Sequence, residues 1–307
     1  MKFIVIFWYY VLAVMGDAEV TLAEYPFIVL IKLTSGGNTT LITGSLISLK
    51  AVLSASQDLF NLRNKYLEPG TVKVYANIST YEDLSSAHVR DVSIIKTEPS
   101  QRADDYYPLL VMLLLSEPFI KVSNQIETIQ INKGRLDWTC VLVGWGYDSL
   151  YSNVFVPQAW YKKSIPYTAK QCESQFVLAE FDSQMCIKTS TRTNWTATIG
   201  SPLLCGGALT GLKYLDTYFT DGTFRVSVFV RLRNYLFWIE WNTPDLPPVV
   251  SVNSGIEDDD EDYKERYKFE PSQPYLKDDE ESYASKANPS TFFIYINIFM
   301  FNIIYYR

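Results

Sequence analysis

Short apolar segments separated by turn residues recur along most of this chain, and their spacing limits the folds open to it. They are rich in β-branched and aromatic residues, and the predicted strands are residues 25–33, 40–49, 71–78, 92–96, 109–115, 140–145 and 226–231. Strands that follow one another with only loops between them favour an antiparallel sandwich or barrel over alternating strands and helices. Hydrophobic residues form 48% of the sequence, which is enough to fill such a core.

One segment near the end of this region has a helical pattern instead. Within residues 231–242, Leu232, Tyr235, Leu236 and Ile239 recur at the spacing of one helix face. We therefore predict one amphipathic helix over 231–242. The residues that follow it, Thr-Pro-Asp-Leu-Pro-Pro, are typical of a linker and end the helix.

The N-terminus has the features of a secretory signal peptide over residues 1–18. Lys2 precedes an apolar run over 3–15, and the small residues Gly16 and Ala18 follow it. This run is shorter than the roughly 20 residues that a transmembrane helix needs. We predict cleavage after Gly16 or Ala18 and a secreted, extracellular protein. Three Asn-x-Ser/Thr sequons add predicted glycosylation sites at Asn38, Asn77 and Asn194.

The cysteine content fits an oxidising compartment. The chain has four cysteines, which are Cys140, Cys172, Cys186 and Cys205. An even count in a secreted chain predicts two disulfides, for which three pairings are possible. Because there is no Cys-x-x-Cys spacing and the single histidine, His88, is distant in sequence, we expect no metal site and no cofactor.

The C-terminal part differs in composition from the rest. Residues 243–291 contain the acidic runs 257–262 and 278–281 and few apolar residues, so we predict a disordered acidic linker. Residues 292–307 form an apolar tail, for which we predict membrane tethering through 292–306, as a lipid-anchor signal or a short membrane segment. A docked or aggregation-prone tail is the alternative. The net charge of −7 argues against nucleic acid as a partner.

Several segments, taken in order, resemble the landmarks of the trypsin-like (chymotrypsin-fold) serine proteases. They are residues 24–27, 44–57, 113–118, 143–146, 185–186 with 202–205, and 229–240. Each motif alone is weak, but their common order is specific. The resemblance covers residues 19–242. It implies an all-β fold of two packed six-stranded antiparallel β-barrels, over about 19–130 and 131–242, with a C-terminal helix.

Residues 197–205, Ala-Thr-Ile-Gly-Ser-Pro-Leu-Leu-Cys, resemble the segment around the nucleophilic serine of that family. By this resemblance Ile199 stands at the serine position, Gln57 at the histidine position and Leu109 at the aspartate position. A serine hydrolase needs a nucleophile, a base and a group that orients the base. Isoleucine has no lone pair for attack and glutamine does not titrate, so the resemblance implies a homologue without catalytic residues.

The same resemblance assigns roles to the residues around this position. Ala197 stands at the oxyanion-hole position and Thr193 at the base of the specificity pocket. Thr198 replaces the aspartate that in the active family pairs with a new N-terminal amine. A glycan on Asn194 would lie at the mouth of the pocket.

The family's disulfide pattern, carried onto this chain, pairs Cys140 with Cys205 and Cys172 with Cys186. Two further bridges of the family are missing, because their positions hold Ile42, Asp58 and Trp195. A lost bridge costs about 2–5 kcal/mol in a small secreted domain. We therefore expect the loops near the site to lose an anchor.

The function implied is that of an inactive serine protease homologue (a pseudoprotease) that binds other extracellular proteins. It would serve as a cofactor, decoy or regulator of active serine proteases or their inhibitors. The first alternative is a serine-type endopeptidase that uses non-standard residues, Ser201 and His88. The second is a structural or ligand-binding surface protein.

Overall fold

The structure is a computed structural model that describes twelve segments of the chain. They are residues 18–19, 24–35, 37–55, 71–78, 80–98, 110–134, 140–147, 155–164, 166–167, 184–190, 195–218 and 224–251. The chain forms two compact units, Met1–Asp260 and Glu261–Arg307. Every described residue belongs to the first unit.

The described segments are mostly β-strands. In chain order they are β1 (Ala18–Glu19), β2 (Ile28–Ser35), β3 (Asn38–Ser48), β4 (Ala51–Ala55), β5 (Val72–Ala76), β6 (His88–Thr97), β7 (Leu110–Leu115), β8 (Cys140–Tyr147), β9 (Phe155–Ser164), β10 (Pro166–Tyr167), β11 (Gln184–Ser190), β12 (Thr196–Ala197), β13 (Pro202–Cys205), β14 (Ala208–Tyr218) and β15 (Phe224–Arg231). A 3₁₀ helix, Leu232–Tyr235, and the helix α1, Leu236–Asn242, follow. The predicted strands are confirmed, with their ends shifted by a few residues.

Six antiparallel strands close into the first barrel, in the order β2-β3-β4-β7-β6-β5. β3 begins exposed at Asn38 and is fully buried from Ile42 to Ser48, and β4 is buried along its whole length. These two strands contact β8, β13 and β14 of the second sheet, so both of their faces are covered. Burial on two faces explains why their apolar residues run together instead of alternating.

The second sheet has the order β1-β9-β8-β13-β14-β15-β11-β10, and β12 pairs with β8. Cys140 on β8 and Cys205 on β13 lie directly opposite each other, with Cα atoms 4.3 Å apart, and form a disulfide. This bond confirms the first of the two implied pairings. The all-β fold with a C-terminal helix is likewise confirmed.

The predicted single helix over 231–242 is wrong at its start. Arg231 still belongs to β15, where it pairs with Gly211 of β14, and regular α-helix begins only at Leu236. Pairing with the neighbouring strand therefore overrides the local helical periodicity. Leu232, Tyr235 and Ile239 are nevertheless buried, as the pattern predicted.

The packed body extends beyond Asn242, where the acidic linker was predicted to begin. Thr243 is buried and its hydroxyl donates to Met112 Sδ at 3.3 Å. The Val250 N–H donates to the Ile131 carbonyl O at 3.0 Å. Residues 243–251 are thus part of the body, because hydrogen bonds connect them to it although they include prolines. Residues 252–291 lie outside the described residues. No helix in the described segments is long and apolar enough to span a membrane.

The first barrel and the second sheet approach each other closely at Gly200, in the turn between β12 and β13. Its φ is +78°, and a Cβ there would lie 2.1 Å from both Ser54 Oγ and the Thr43 carbonyl O. Gly207 has nearly the same backbone, with φ +79°, but it is exposed and a Cβ there would meet nothing within 4 Å. Substitutions at Gly200 and Gly207 can therefore be compared to separate the cost of the left-handed backbone from the cost of steric overlap.

We expect Gly200→Ala to lower the free energy of unfolding by at least about 3 kcal/mol, because strain and overpacking add. Gly207→Ala should cost about 1 kcal/mol, from the left-handed backbone alone. Urea unfolding of both variants measures the difference. Equal losses would show that the sheets do not meet at Gly200 as described.

Candidate functional site

Ile199, the residue at the implied nucleophile position, lies in the turn that follows β12. Its side chain is partly exposed, and its carbonyl O accepts the Thr43 N–H at 3.2 Å. The preceding Thr198 N–H donates to the Trp145 carbonyl O at 2.9 Å. The backbone on either side of Ile199 is therefore fixed by β3 of the first barrel and β8 of the second sheet.

Buried hydroxyl groups join the two sheets beneath this turn. Thr43 Oγ1 and Thr198 Oγ1 are 2.8 Å apart and hydrogen-bonded, and Ser201 Oγ lies 3.5 Å from Thr198 Oγ1. The Trp145 N–H donates to Thr43 Oγ1 at 3.3 Å, and the Ser54 hydroxyl donates to the Thr43 carbonyl O at 2.9 Å. We call Thr43, Ser54, Thr198 and Ser201 the hydroxyl network. All four side chains are uncharged, and none is more than 4% exposed.

Gly144 leaves the space that the hydroxyl network occupies. It lies on β8 with φ +151°, and a Cβ there would come within 2.6 Å of Ser201 Oγ and 2.9 Å of Thr43 Oγ1. Buried hydroxyls are stable only when they are hydrogen-bonded. Gly144 therefore allows the paired hydroxyls to fill the contact between the sheets.

A buried lysine lies next to this network. The Lys213 side chain on β14 is 3% exposed, and its Nζ donates to the Ala197 carbonyl O on β12 and to Asp216 Oδ2 at 2.7 Å. The Ser227 hydroxyl on β15 donates to Asp216 Oδ1 at 2.6 Å. We call Lys213, Asp216 and Ser227 the lysine cluster. It connects β12 to β14 and β15. No pattern in the sequence predicts it, because residues three apart point to opposite faces of a regular strand. The β-bulge between Lys213 and Leu215 allows the two side chains to meet.

Trp195 and Ile42 occupy positions where the family has half-cystines. Trp195 is 2% exposed and belongs to the second apolar core with Met185, Ile187 and Phe229. Ile42 is fully buried in the first barrel. Apolar burial therefore holds the backbone at these two positions, and the expected loss of an anchor in the loops near the site stays a prediction.

The remaining positions implied at the site are described only in part. Ala197, at the oxyanion-hole position, is 3% exposed and lies opposite Gly146 of β8. Five other predicted positions lie outside the described residues: Gln57, Leu109, Thr193, Asn194 and Cys172. Cys186 is disulfide-bonded, and its pairing with Cys172 stays a prediction. Among the described residues, no group of His, Cys, Asp or Glu is arranged to hold a metal ion.

The alternative catalytic site would consist of Ser201 and His88. Among the described residues, no hydrogen bond joins these two side chains. Ser201 is fully buried, and its hydroxyl lies within reach of Thr198. His88 is the first residue of β6 and pairs with Ala76 of β5, in the first barrel.

Two of the three sequons are described. Asn38 is exposed at the start of β3. Asn77 is partly buried with φ +56°, and its Nδ2 donates to Gln125 Oε1 at 3.4 Å. A glycan is attached through Nδ2, so Asn38 offers the less hindered site of the two.

Several solved structures share this fold. GrC matches with a TM-score of 0.60 and 19% identity, over 75% of this chain and 99% of that chain. The scabies mite inactivated protease paralogue S-D1 matches with a TM-score of 0.62 and 16% identity, over 76% and 99%. Neuropsin, a serine protease expressed in the limbic system of mouse brain, matches with a TM-score of 0.59 and 15% identity, over 74% and 98%.

A family comparison gives the same result at the level of sequence. The family model described as Trypsin matches residues 14–239, which is most of the chain and includes the β12–β13 turn. That range agrees with the segments that resemble the family's landmarks. The chain belongs to the trypsin family.

Proposed function

We propose that this protein is a trypsin-family member without proteolytic activity that acts outside the cell by binding other proteins. The observation that carries the proposal is Ile199, which follows β12 in the turn where the family has its nucleophile. Its backbone is fixed between the two sheets. An aliphatic side chain there has no atom that can attack a carbonyl.

The surroundings of Ile199 support a binding role. The hydroxyl network and the lysine cluster use their polar atoms to hold strands together, so these atoms are not offered to a substrate. Lys213 donates to the carbonyl of Ala197, the residue at the oxyanion-hole position, and Ala197 is nearly fully buried. An oxyanion hole requires N–H groups directed at the space that the substrate oxygen enters.

The proposed partners are active serine proteases or their inhibitors, towards which the protein would act as a cofactor, decoy or regulator. Similarity to an inactivated protease paralogue of the scabies mite supports the existence of such inactive members on this fold. A surface that keeps the family's shape can bind the family's partners without cleaving them.

Secretion is the second part of the proposal. The Cys140–Cys205 disulfide is typical of proteins that fold in an oxidising compartment. Ala18 pairs with Tyr161 of β9, so cleavage of the signal peptide after Gly16 would keep the whole of β1. Tethering to the cell surface through 292–306 completes this part of the proposal.

We expect the purified mature protein to remain unlabelled by a fluorophosphonate probe under conditions that label trypsin fully. The reason is the absence of a nucleophile at position 199. Gel fluorescence and peptide mapping measure labelling. Heat-sensitive labelling of Ser201 that disappears in Ser201→Ala would establish the endopeptidase alternative and refute the proposal.

We expect crosslinking in extracellular fluid to capture active serine proteases or their inhibitors on the immobilised protein. An engineered trypsin whose active-site serine is replaced by alanine is the matched control, because it has the same fold without activity. Mass spectrometry identifies the captured proteins. Capture of structural matrix proteins or small ligands alone would favour the structural or ligand-binding alternative.

The lysine cluster can be tested through stability. Lys213→Met removes a buried cation from the partly buried Asp216 carboxylate, which is 15% exposed, and should lower the free energy of unfolding by about 3 kcal/mol. The matched control is Lys73→Met, which removes an exposed pair with Asp91 at 2.8 Å and should cost less than about 1 kcal/mol. The hydrogen bond to Asp91 raises the pKa of Lys73, but solvent screens that pair. Urea unfolding measures the loss of stability in both variants. Similar losses would contradict the burial of Lys213 in the lysine cluster.

A further inference from the structure

Two aromatic side chains of α1 face solvent. Phe237 is 76% exposed and Trp241 is 77% exposed, and their rings stack with centroids 6.1 Å apart. Residues four apart lie on one helix face, and the opposite face, with Ile239, already packs on the core. None of the described residues buries these two rings, and an exposed apolar surface of this kind marks an interaction site.

The first barrel contacts the end of α1. Lys96 Nζ of β6 donates to Asn242 Oδ1 at 2.9 Å, and Lys96 pairs with Met112 of β7. We call Phe237 and Trp241, which are exposed on α1, the aromatic patch.

The rest of the chain indicates what covers the aromatic patch. The described body ends at Ser251, close in sequence to α1, and the chain ends with the apolar run 292–306. If that run enters a bilayer, the 40 residues 252–291 are all that separate it from the body in sequence. Trp and Phe are side chains that favour the interface between lipid and water.

The charges next to the patch select the kind of lipid. Glu240 and Asp245 are exposed on and just after α1. Anionic lipids would repel these two carboxylates, whereas a zwitterionic bilayer accepts the aromatic side chains without that cost.

We propose that the aromatic patch docks on a zwitterionic lipid bilayer and lays the body against the membrane. The inference rests on the tethering proposed above and is independent of the loss of proteolysis, because lipid binding and fluorophosphonate labelling are separate readouts. It assigns the membrane-facing surface to α1.

Flotation of the full mature chain with phosphatidylcholine vesicles tests this proposal. The double variant Phe237→Ser with Trp241→Ser should lower the partition coefficient by about tenfold or more, because two large apolar side chains leave the interface. Ile120→Ser is the matched control, since Ile120 is 72% exposed outside the patch, and it should change partitioning less than twofold. All three side chains are exposed, so the unfolding midpoint should stay within a few degrees.

Brominated phosphatidylcholine provides a second measurement. It should quench part of the tryptophan fluorescence, and Trp241→Phe should lose that quenched part while keeping most of the binding. A chain that also carries Phe237→Ser should then bind more weakly than Trp241→Phe alone.

Four results would overturn the proposal. They are unchanged partitioning of the double serine variant, absence of quenching at Trp241, stronger binding to vesicles that contain phosphatidylserine, and concentration-dependent dimers that need Phe237 and Trp241. The last result would assign the patch to a second copy of the chain. A captured protein that competes with vesicles through these residues would assign the patch to a protein partner instead.

Discussion

The hydrogen bond between Thr43 and Thr198 joins the first barrel to the second sheet, and the shape of the candidate site depends on it. Both residues are buried, so each hydroxyl needs a partner inside the protein. Their close approach requires Gly144 and Gly200, where any Cβ would collide with the hydroxyl network or with Thr43 itself. The turn that carries Ile199 is therefore held by uncharged groups from both sheets.

The lysine cluster stabilises the neighbouring part of the second sheet in a different way. Lys213 connects β12 to β14 through Ala197 and Asp216, and Ser227 adds β15. A buried ion pair is stable only if its remaining hydrogen-bonding capacity is used, and here both ions have additional partners. Together with the burial of Trp195, this cluster explains how the fold persists near a site whose family disulfide is missing.

Two surfaces of the molecule are thus available for different tasks. In the proposed function, the surface around Ile199 keeps the family's fold and binds partners without cleaving them. The aromatic patch on α1 is apolar and is not needed for packing, which suits contact with lipid. A protein held on a membrane by one surface can present the other to soluble partners, so the two proposals are compatible but independent.

The sequence by itself determined the strands and the chemistry of Ile199. Alternation and turn residues are local signals, and a side chain without a lone pair is unreactive in any environment. Resemblance to the family added the Cys140–Cys205 bond. Only the tertiary structure decided that Arg231 stays in a strand, that the body continues to Ser251, and that Lys213 is buried against Asp216. These outcomes depend on strands distant in sequence, whose pairing no local pattern encodes.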